Sequence, residues 1–264
     1  MSDANRVWAE DMPDAYDRWL VPPVFAPFAR DVAARVAARR PGDALELAAG
    51  TGALTRDLLA ALPGLRITAT DLNPPMVDLG RGRVPGAHWQ QADAMQLPFA
   101  DASFDVVACQ FGVMFFPDRV AAYAECRRVL RTSGAFVFNT WASLDRHGFE
   151  VELMSALRDV LDAEPPQFLR EIPHSYCDPE LIEADVVAAG FAAVRLQELT
   201  VPGHAPSADG LARGYCLGTP LRMALADHGD VVALSDDVAR RMTQLLGDGP
   251  VTAEMTALVV EADA

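Results

Sequence analysis

The residues Leu45-Glu46-Leu47-Ala48-Ala49 run straight into Gly50-Thr51-Gly52, and a helix-like stretch follows at once. Glycines at a strand-to-helix turn let the backbone come close to a ligand, and the first N–H groups of a helix favour a polar or negative group there. Nineteen residues after Gly52 a second apolar run ends at Asp71, followed by Leu72-Asn73-Pro74-Pro75-Met76; a third ends at Gln91-Ala92-Asp93-Ala94. A carboxylate placed as Asp71 is can accept from both hydroxyls of a ribose, one on each oxygen. As an alternative it could merely cap the helix opening at Pro74, a job for which Asn73 competes. Asp93 could take the exocyclic amine of adenine or serve as a plain loop acid. A glycine turn with acids ending neighbouring strands sets polar groups along one crevice edge, which is where open α/β sheets bind ligands.

Other chemistries are excluded by residue type. All 22 basic residues are Arg and none is Lys, so there is no Schiff-base lysine and no phosphate-loop lysine. Gly50-Thr51-Gly52-Ala53-Leu54-Thr55 carries Thr55 where the dinucleotide fingerprint has its third glycine, which disfavours a nicotinamide-dependent oxidoreductase. Cys109, Cys126, Cys177 and Cys216 are widely spaced with no C-x-x-C pair, so neither a metal site nor a disulfide framework is expected. The net charge of −15 is concentrated in residues 141–264, with 21 acids against 8 arginines. So acidic a surface repels phosphate backbones and anionic lipid and argues against nucleic acid or membrane as partner. Met1 to Tyr16 has no apolar run typical of a secretory signal, and the longest charge-free run, Thr132 to Leu144, is 13 residues, so a cytoplasmic protein is expected.

The elements that must position these residues follow from periodicity. Ala44–Ala48, Arg66–Thr70, Ala87–Gln91, Phe104–Gln110 and Ala135–Thr140 are strand-like, and Ala53–Ala61, Pro74–Gly80 and Arg119–Leu130 are helix-like. This alternation implies parallel βαβ units in a doubly wound α/β sheet. A helix from Ala29 to Arg40 precedes it. After Trp141 come helical patterns at Phe149–Leu161 and Pro179–Ala189, a strand at Ala192–Val201, a mostly helical stretch Leu211–Leu246 and a strand at Thr252–Ala262. The expectation is one domain over 1–264: an N-terminal arm (1–42), a binding core (43–141), an insertion or lid (142–190), and C-terminal elements (191–264) that complete seven mostly parallel strands.

The third strand is followed by Asp93-Ala94-Met95-Gln96-Leu97-Pro98-Phe99-Ala100-Asp101-Ala102-Ser103-Phe104-Asp105. Together with the glycine turn and Asp71, this resembles the class I S-adenosylmethionine-dependent methyltransferases that act on small molecules, most strongly over residues 43–141. The resemblance implies that Glu46, Ala48, Ala49, Gly50, Thr51 and Gly52 hold the methionine portion of S-adenosylmethionine and Asp71 the ribose. It places Leu72 and Met76 against the adenine faces and Asp93 and Ala94 at the adenine edge. It also implies that the backbone carbonyl of Gln110 receives the cofactor's amino group and that Phe111 borders the methyl. Ala48 stands where the family has its first glycine and is expected in an unstrained conformation. Thr132-Ser133-Gly134 replaces a Pro-Gly-Gly and is expected as a turn.

Methyl transfer is an in-line displacement in which alignment can contribute about 7 to 11 kcal/mol and a base, where the acceptor needs one, roughly 10² to 10⁴-fold. His147, His174 and His204 are candidate bases, with Tyr176 as a hydrogen-bond partner. A lone loop histidine is ordinarily a solvated surface group, so no catalytic residue is assigned. The same resemblance implies that Val7 to Arg18 and Trp19 to Arg35 form an arm folded over the cofactor, with Tyr16 and Trp19 closing the pocket; an aromatic pair three residues apart on a helix otherwise reads as core. Trp141, Phe149, Phe168, Tyr176 and Tyr215 line an apolar or aromatic acceptor pocket or else form plain core. A protein that binds the cofactor without transferring methyl is the alternative reading.

Overall fold

The computed structural model describes residues 12–264, so the first part of the arm, including Val7, lies outside the described residues. Two helices come first, α1 (Met12–Trp19) and α2 (Ala26–Ala38), joined by a wide helical turn at Val21–Phe25. Pro22 and Pro23 fall in that turn and Pro27 in the first turn of α2, where a missing N–H breaks no helical bond, so α2 starts at Ala26 and not at Ala29. Strands and helices then alternate: β1 (Asp43–Leu47), α3 (Ala53–Ala61), β2 (Arg66–Asp71), α4 (Pro74–Arg83), β3 (His88–Gln91), β4 (Phe104–Gln110), α5 (Arg119–Val129) and β5 (Leu130–Trp141). The rest supplies α6 (Gly148–Leu161), α7 (Phe168–Glu171), α8 (Pro179–Ala188), β6 (Ala193–Ala205), α9 (Ala208–Gly218), α10 (Leu221–Ala226), α11 (Val231–Leu246) and β7 (Val251–Asp263). Among the described residues no helix is long and apolar enough to cross a membrane.

Seven strands form one sheet in the order β3-β2-β1-β4-β5-β7-β6. The first five are parallel, and β7 runs antiparallel between β5 and β6. Alternation along β4 shows why both faces must be covered. Val106 and Ala108 pack with Val32, Val36, Leu54 and Leu58, whereas Val107 and Cys109 pack with Tyr123, Cys126, Phe136 and Phe138. Because β2 lies to one side of β1 and β4 to the other, a crevice opens at the carboxyl ends of these strands.

The 93–105 segment divides its work. Asp105 sits at the opposite end of β4, where its Oδ2 accepts from the N–H groups of Gly42 and Asp43 at 2.8 and 2.9 Å. Arg128 of α5 donates to the carbonyls of Leu97 and Phe99, and Glu125 accepts from the Leu97 N–H. The later residues therefore fasten the loop, while Asp93 to Met95 face the crevice. Thr132 to Gly134, expected as a turn, lie within β5 as an irregularity: Phe104 pairs with Leu130, but Val106 pairs with Ala135. A Cβ on Gly134 would come within 2.9 Å of the Arg131 carbonyl, which explains a glycine in this crowded bulge.

The N-terminal arm is seated on α9. Gly210, Gly214 and Gly218 fall four residues apart, and α1 approaches closely along that stripe: a Cβ on Gly214 would lie 2.8 Å from Leu20 and Trp19 side chains, and one on Gly218 2.6 Å from the Tyr16 backbone nitrogen. Trp19 is thus packed on α9 and does not close the cavity, whereas Tyr16 borders it. Exchanging a helix-interior glycine for alanine ordinarily stabilises by about 0.5 to 1 kcal/mol. Here Gly214→Ala should have the opposite sign, destabilising by about 1 to 3 kcal/mol through overpacking. Thermal unfolding checks the sign.

Candidate active site

A cavity of about 590 Å³ lies over the carboxyl ends of β1 to β4, with a smaller one of about 30 Å³ beside it. The turn after β1 forms their common wall. Gly50 and Gly52 have φ of +55° and +90°, and Ala48, at +50°, is also left-handed. The expected unstrained conformation of Ala48 is therefore corrected: an L-residue there costs on the order of 1 to 2 kcal/mol. Its methyl is accommodated by Gly112, where an added Cβ would sit 2.5 Å from the Ala48 Cβ. At Gly50 a Cβ would meet nothing within 4 Å, so this backbone faces open space. Gly52 borders neither cavity; a Cβ there would collide with Val84 and Trp89.

Asp71 ties the turn to β2. Its Oδ2 accepts from the Gly50 N–H at 2.9 Å, and its Oδ1 accepts from the Asn73 N–H at 2.9 Å and side-chain amide at 3.2 Å. Neither Asp71 nor Asn73 caps α4 through a side-chain bond. Burial pushes the Asp71 carboxyl up, and these hydrogen bonds only partly offset it. Leu72, Met76 and Ala94 border the large cavity, as does Asp93, whose Oδ1 accepts from the Met95 N–H at 2.9 Å and so also closes its own loop.

Glu46, Ala49 and Thr51 border the small cavity. Glu46 accepts a 2.7 Å hydrogen bond from the Thr55 hydroxyl, the residue that displaces the third glycine, and burial pushes the Glu46 carboxyl up to about 8. Thr51 Oγ1 is buried without a hydrogen-bond partner, which marks a place for a polar ligand atom. Open space at Gly50, this unpaired hydroxyl and two buried acids fit a nucleoside carrying an amino-acid tail.

The floor continues through Gln110 and Phe111 into apolar territory. Gln110 Nε2 donates to the Phe25 carbonyl at 2.8 Å, holding the N-terminal arm over the site. Phe111 has φ of +50°, and Asn139 Oδ1 accepts from its N–H at 2.9 Å. The Phe111 ring stacks on Trp141 at 3.7 Å and 13°, with Phe25 and Phe28 set at their edges. Trp141, Phe168 and Tyr215 border the cavity, whereas Phe149 and Tyr176 are core; the Tyr176 hydroxyl donates to Asp185 and is no partner of a histidine.

His204 is on β6, with Nδ1 3.0 Å from the Thr252 hydroxyl. His147 and His174, expected as solvated, are both buried, and each faces Glu150. Sequence reasoning passed over Glu150; its only signal was the three-residue spacing from His147 at the start of α6. Phe25 and Asn139 carried no readable signal, because they act across large sequence separations. Among the described residues no group of three or more His, Cys, Asp or Glu side chains could hold a metal ion.

A methyltransferase-domain family model matches residues 45–138. A demethylmenaquinone methyltransferase of Beutenbergia cavernae is 34% identical over 171 residues, covering 61% of this chain and 70% of its own. The ubiquinone/menaquinone biosynthesis C-methyltransferase UbiE of Paracoccus denitrificans is 31% identical over 172 residues, covering 60% of this chain and 69% of its own. The chain belongs to the class I S-adenosylmethionine-dependent methyltransferases. The phosphoethanolamine N-methyltransferase 2 of Haemonchus contortus shares the fold, with a TM-score of 0.60 at 14% identity over 96% of this chain and 57% of that one. The methyltransferase uses S-adenosylmethionine as methyl donor and acts on a small molecule, so neither the oxidoreductase nor the non-transferring reading holds.

Glu46 has a consequence for stability. Between its ordinary value of 4.5 and about 8 the folded chain binds a proton that the unfolded chain lacks, so unfolding free energy contributed by this group falls as pH rises through that window. Denaturant titrations of ligand-free chain at pH 5 and pH 7.5 should show the loss, and Glu46→Gln should flatten it.

Proposed function

We propose that the acceptor is a hydroxylated aromatic of the quinol type, seated in the apolar half of the large cavity. The observation that carries this is the wall beyond the stacked Phe111–Trp141 pair, which is built from Met114, Phe115, Phe168, Leu169, Ile172 and Met223 around one buried carboxylate, Glu150. A flat, apolar ring with a hydrogen-bond donor matches such a lining. The relatives, a demethylmenaquinone methyltransferase and a C-methyltransferase of ubiquinone/menaquinone biosynthesis, support the same chemistry.

In this reading the nucleoside lies along the sheet edge. Asp71 accepts from the ribose hydroxyls, Leu72 and Met76 sandwich the adenine, and Asp93 and Ala94 meet its polar edge. Glu46, Thr51 and the backbone of Ala48 to Gly50 hold the amino-acid tail, with the Gln110 carbonyl nearby; Gly52 supports the turn from behind. The bound sulfonium supplies an activated methyl with a neutral thioether as leaving group. Phe111 and Trp141 flank the transfer path and exclude water. Segment 142–190, with α7, covers the acceptor half.

Incubation with methyl-labelled cofactor and 1,4-dihydroxynaphthalene under reducing conditions should move label to the ring compound; label moving only to aliphatic amines or thiols would refute the acceptor class. For the donor half, Asp71→Ala should weaken S-adenosylhomocysteine binding by about 1 to 3 kcal/mol, because a charge-assisted bond is lost and the Gly50 N–H is left unpaired. Gly50→Val, which fills open space, should block binding. Calorimetry reads both, and unchanged affinity would remove these residues from the site.

A further inference from the structure

Glu150 lies in the first turn of α6, is 3% exposed and borders the large cavity. Its Oε2 is 2.6 Å from Nε2 of His174, whose Nδ1 is 2.6 Å from the Ala142 carbonyl oxygen. A carbonyl only accepts, so His174 Nδ1 carries a hydrogen and the ring turns its other nitrogen to Glu150. Two lone pairs at 2.6 Å would repel, so a proton lies between them. Burial penalises both charges, yet each supports the other: Glu150 is held below its ordinary range and His174 above its own. The pair is therefore carboxylate against imidazolium, anchored at the far end by backbone.

This arrangement commits one oxygen and spares the other. Oε1 stands 3.7 Å from Nε2 of His147, beyond hydrogen-bond reach. His147 lies edge-on to Trp141, neither of its ring nitrogens has a hydrogen-bond partner, and burial drives it down to about 4, so it is neutral. The Tyr215 hydroxyl of α9 comes near the same carboxylate without meeting hydrogen-bond geometry. Arg170 bears on His174; α11 meets α6 through Arg241 on Asp159, and β7 meets the segment at Met255. A buried carboxylate oxygen without a strong donor is costly, and a ligand hydroxyl would offset that cost.

We propose that Glu150 is the catalytic base of the methyl transfer, its Oε1 receiving the acceptor hydroxyl, with His174 as a positioning residue that holds Oε2 and aims the carboxylate. The inference rests on the hydroxylated-aromatic reading above. As transfer proceeds the acceptor O–H bond breaks and its proton passes to Oε1. The electron pair released onto the acceptor forms the new bond to the methyl carbon, and the pair of the broken S–CH₃ bond stays on sulfur. The positive charge leaves the sulfonium and ends on the protonated Glu150–His174 pair, from which the proton escapes to solvent.

The test uses the full chain, 1,4-dihydroxynaphthalene under reducing conditions and its dimethoxy counterpart. In the presence of S-adenosylhomocysteine the wild-type chain should bind the diol about tenfold or more tightly than the dimethoxy compound, as a hydrogen bond to a charged group allows; equal binding overturns the proposal without any variant. Glu150→Gln should lower kcat toward the diol by about 10² to 10⁴-fold while keeping S-adenosylhomocysteine affinity within about twofold. An unchanged kcat overturns it. His174→Gln removes the supporting charge and should move the acidic limb of the kcat–pH profile to higher pH, and a limb that stays put removes His174 from its role. If the wild-type chain neither binds nor methylates the diol, the acceptor reading itself falls, and this inference with it.

Discussion

The Asp71 carboxylate bonded to the Gly50 N–H is the contact on which the site depends. It joins the turn after β1 to the end of β2, and it does so with a buried acid whose charged form is disfavoured by desolvation. Such a group persists only where hydrogen bonds offset that cost. The turn it fastens is left-handed at Ala48, Gly50 and Gly52, so that Gly50 presents bare backbone to the cavity. The remaining parts are supports for that edge. Arg128 and Glu125 fasten the loop after β3 from behind, Asp105 ties the start of β4 to Gly42 and Asp43, and the glycine stripe of α9 lets α1 bring Tyr16 over the opening.

Much of this was legible because it is local. The alternation of apolar runs and amphipathic stretches set α3's bounds and located the first five strands, and a carboxylate ending a strand is readable from position alone. Ala48 was misjudged because no residue type reports its own φ; the compensating feature, Gly112, lies far away in the chain and becomes meaningful only when the two Cβ positions are seen to compete. Thr132 to Gly134 look like a turn, but the strand resumes beyond a bulge, since β5 must still reach β4 and β7.

The acceptor half was the less legible. Its polar residues come from the loop after β5, the start of α6, the segment after α7 and α9, which no single sequence window contains. His147 and His174 read as solvated loop residues until Glu150 and Trp141 are placed beside them. The apolar wall read equally well as core, because a ring against a cavity and a ring against another ring demand the same composition.

The division of labour is then clear: one end of the cavity is polar, backbone-rich and set by β1 to β3, and the other is aromatic with one buried acid. The most direct measurement is a crystal structure of the chain with S-adenosylhomocysteine bound. The account predicts both ribose hydroxyls within hydrogen-bond distance of Asp71, the adenine between Leu72 and Met76, and the sulfur directed toward Phe111. A nucleoside bound elsewhere, with Asp71 bonded to Gly50 and Asn73 alone, would contradict it.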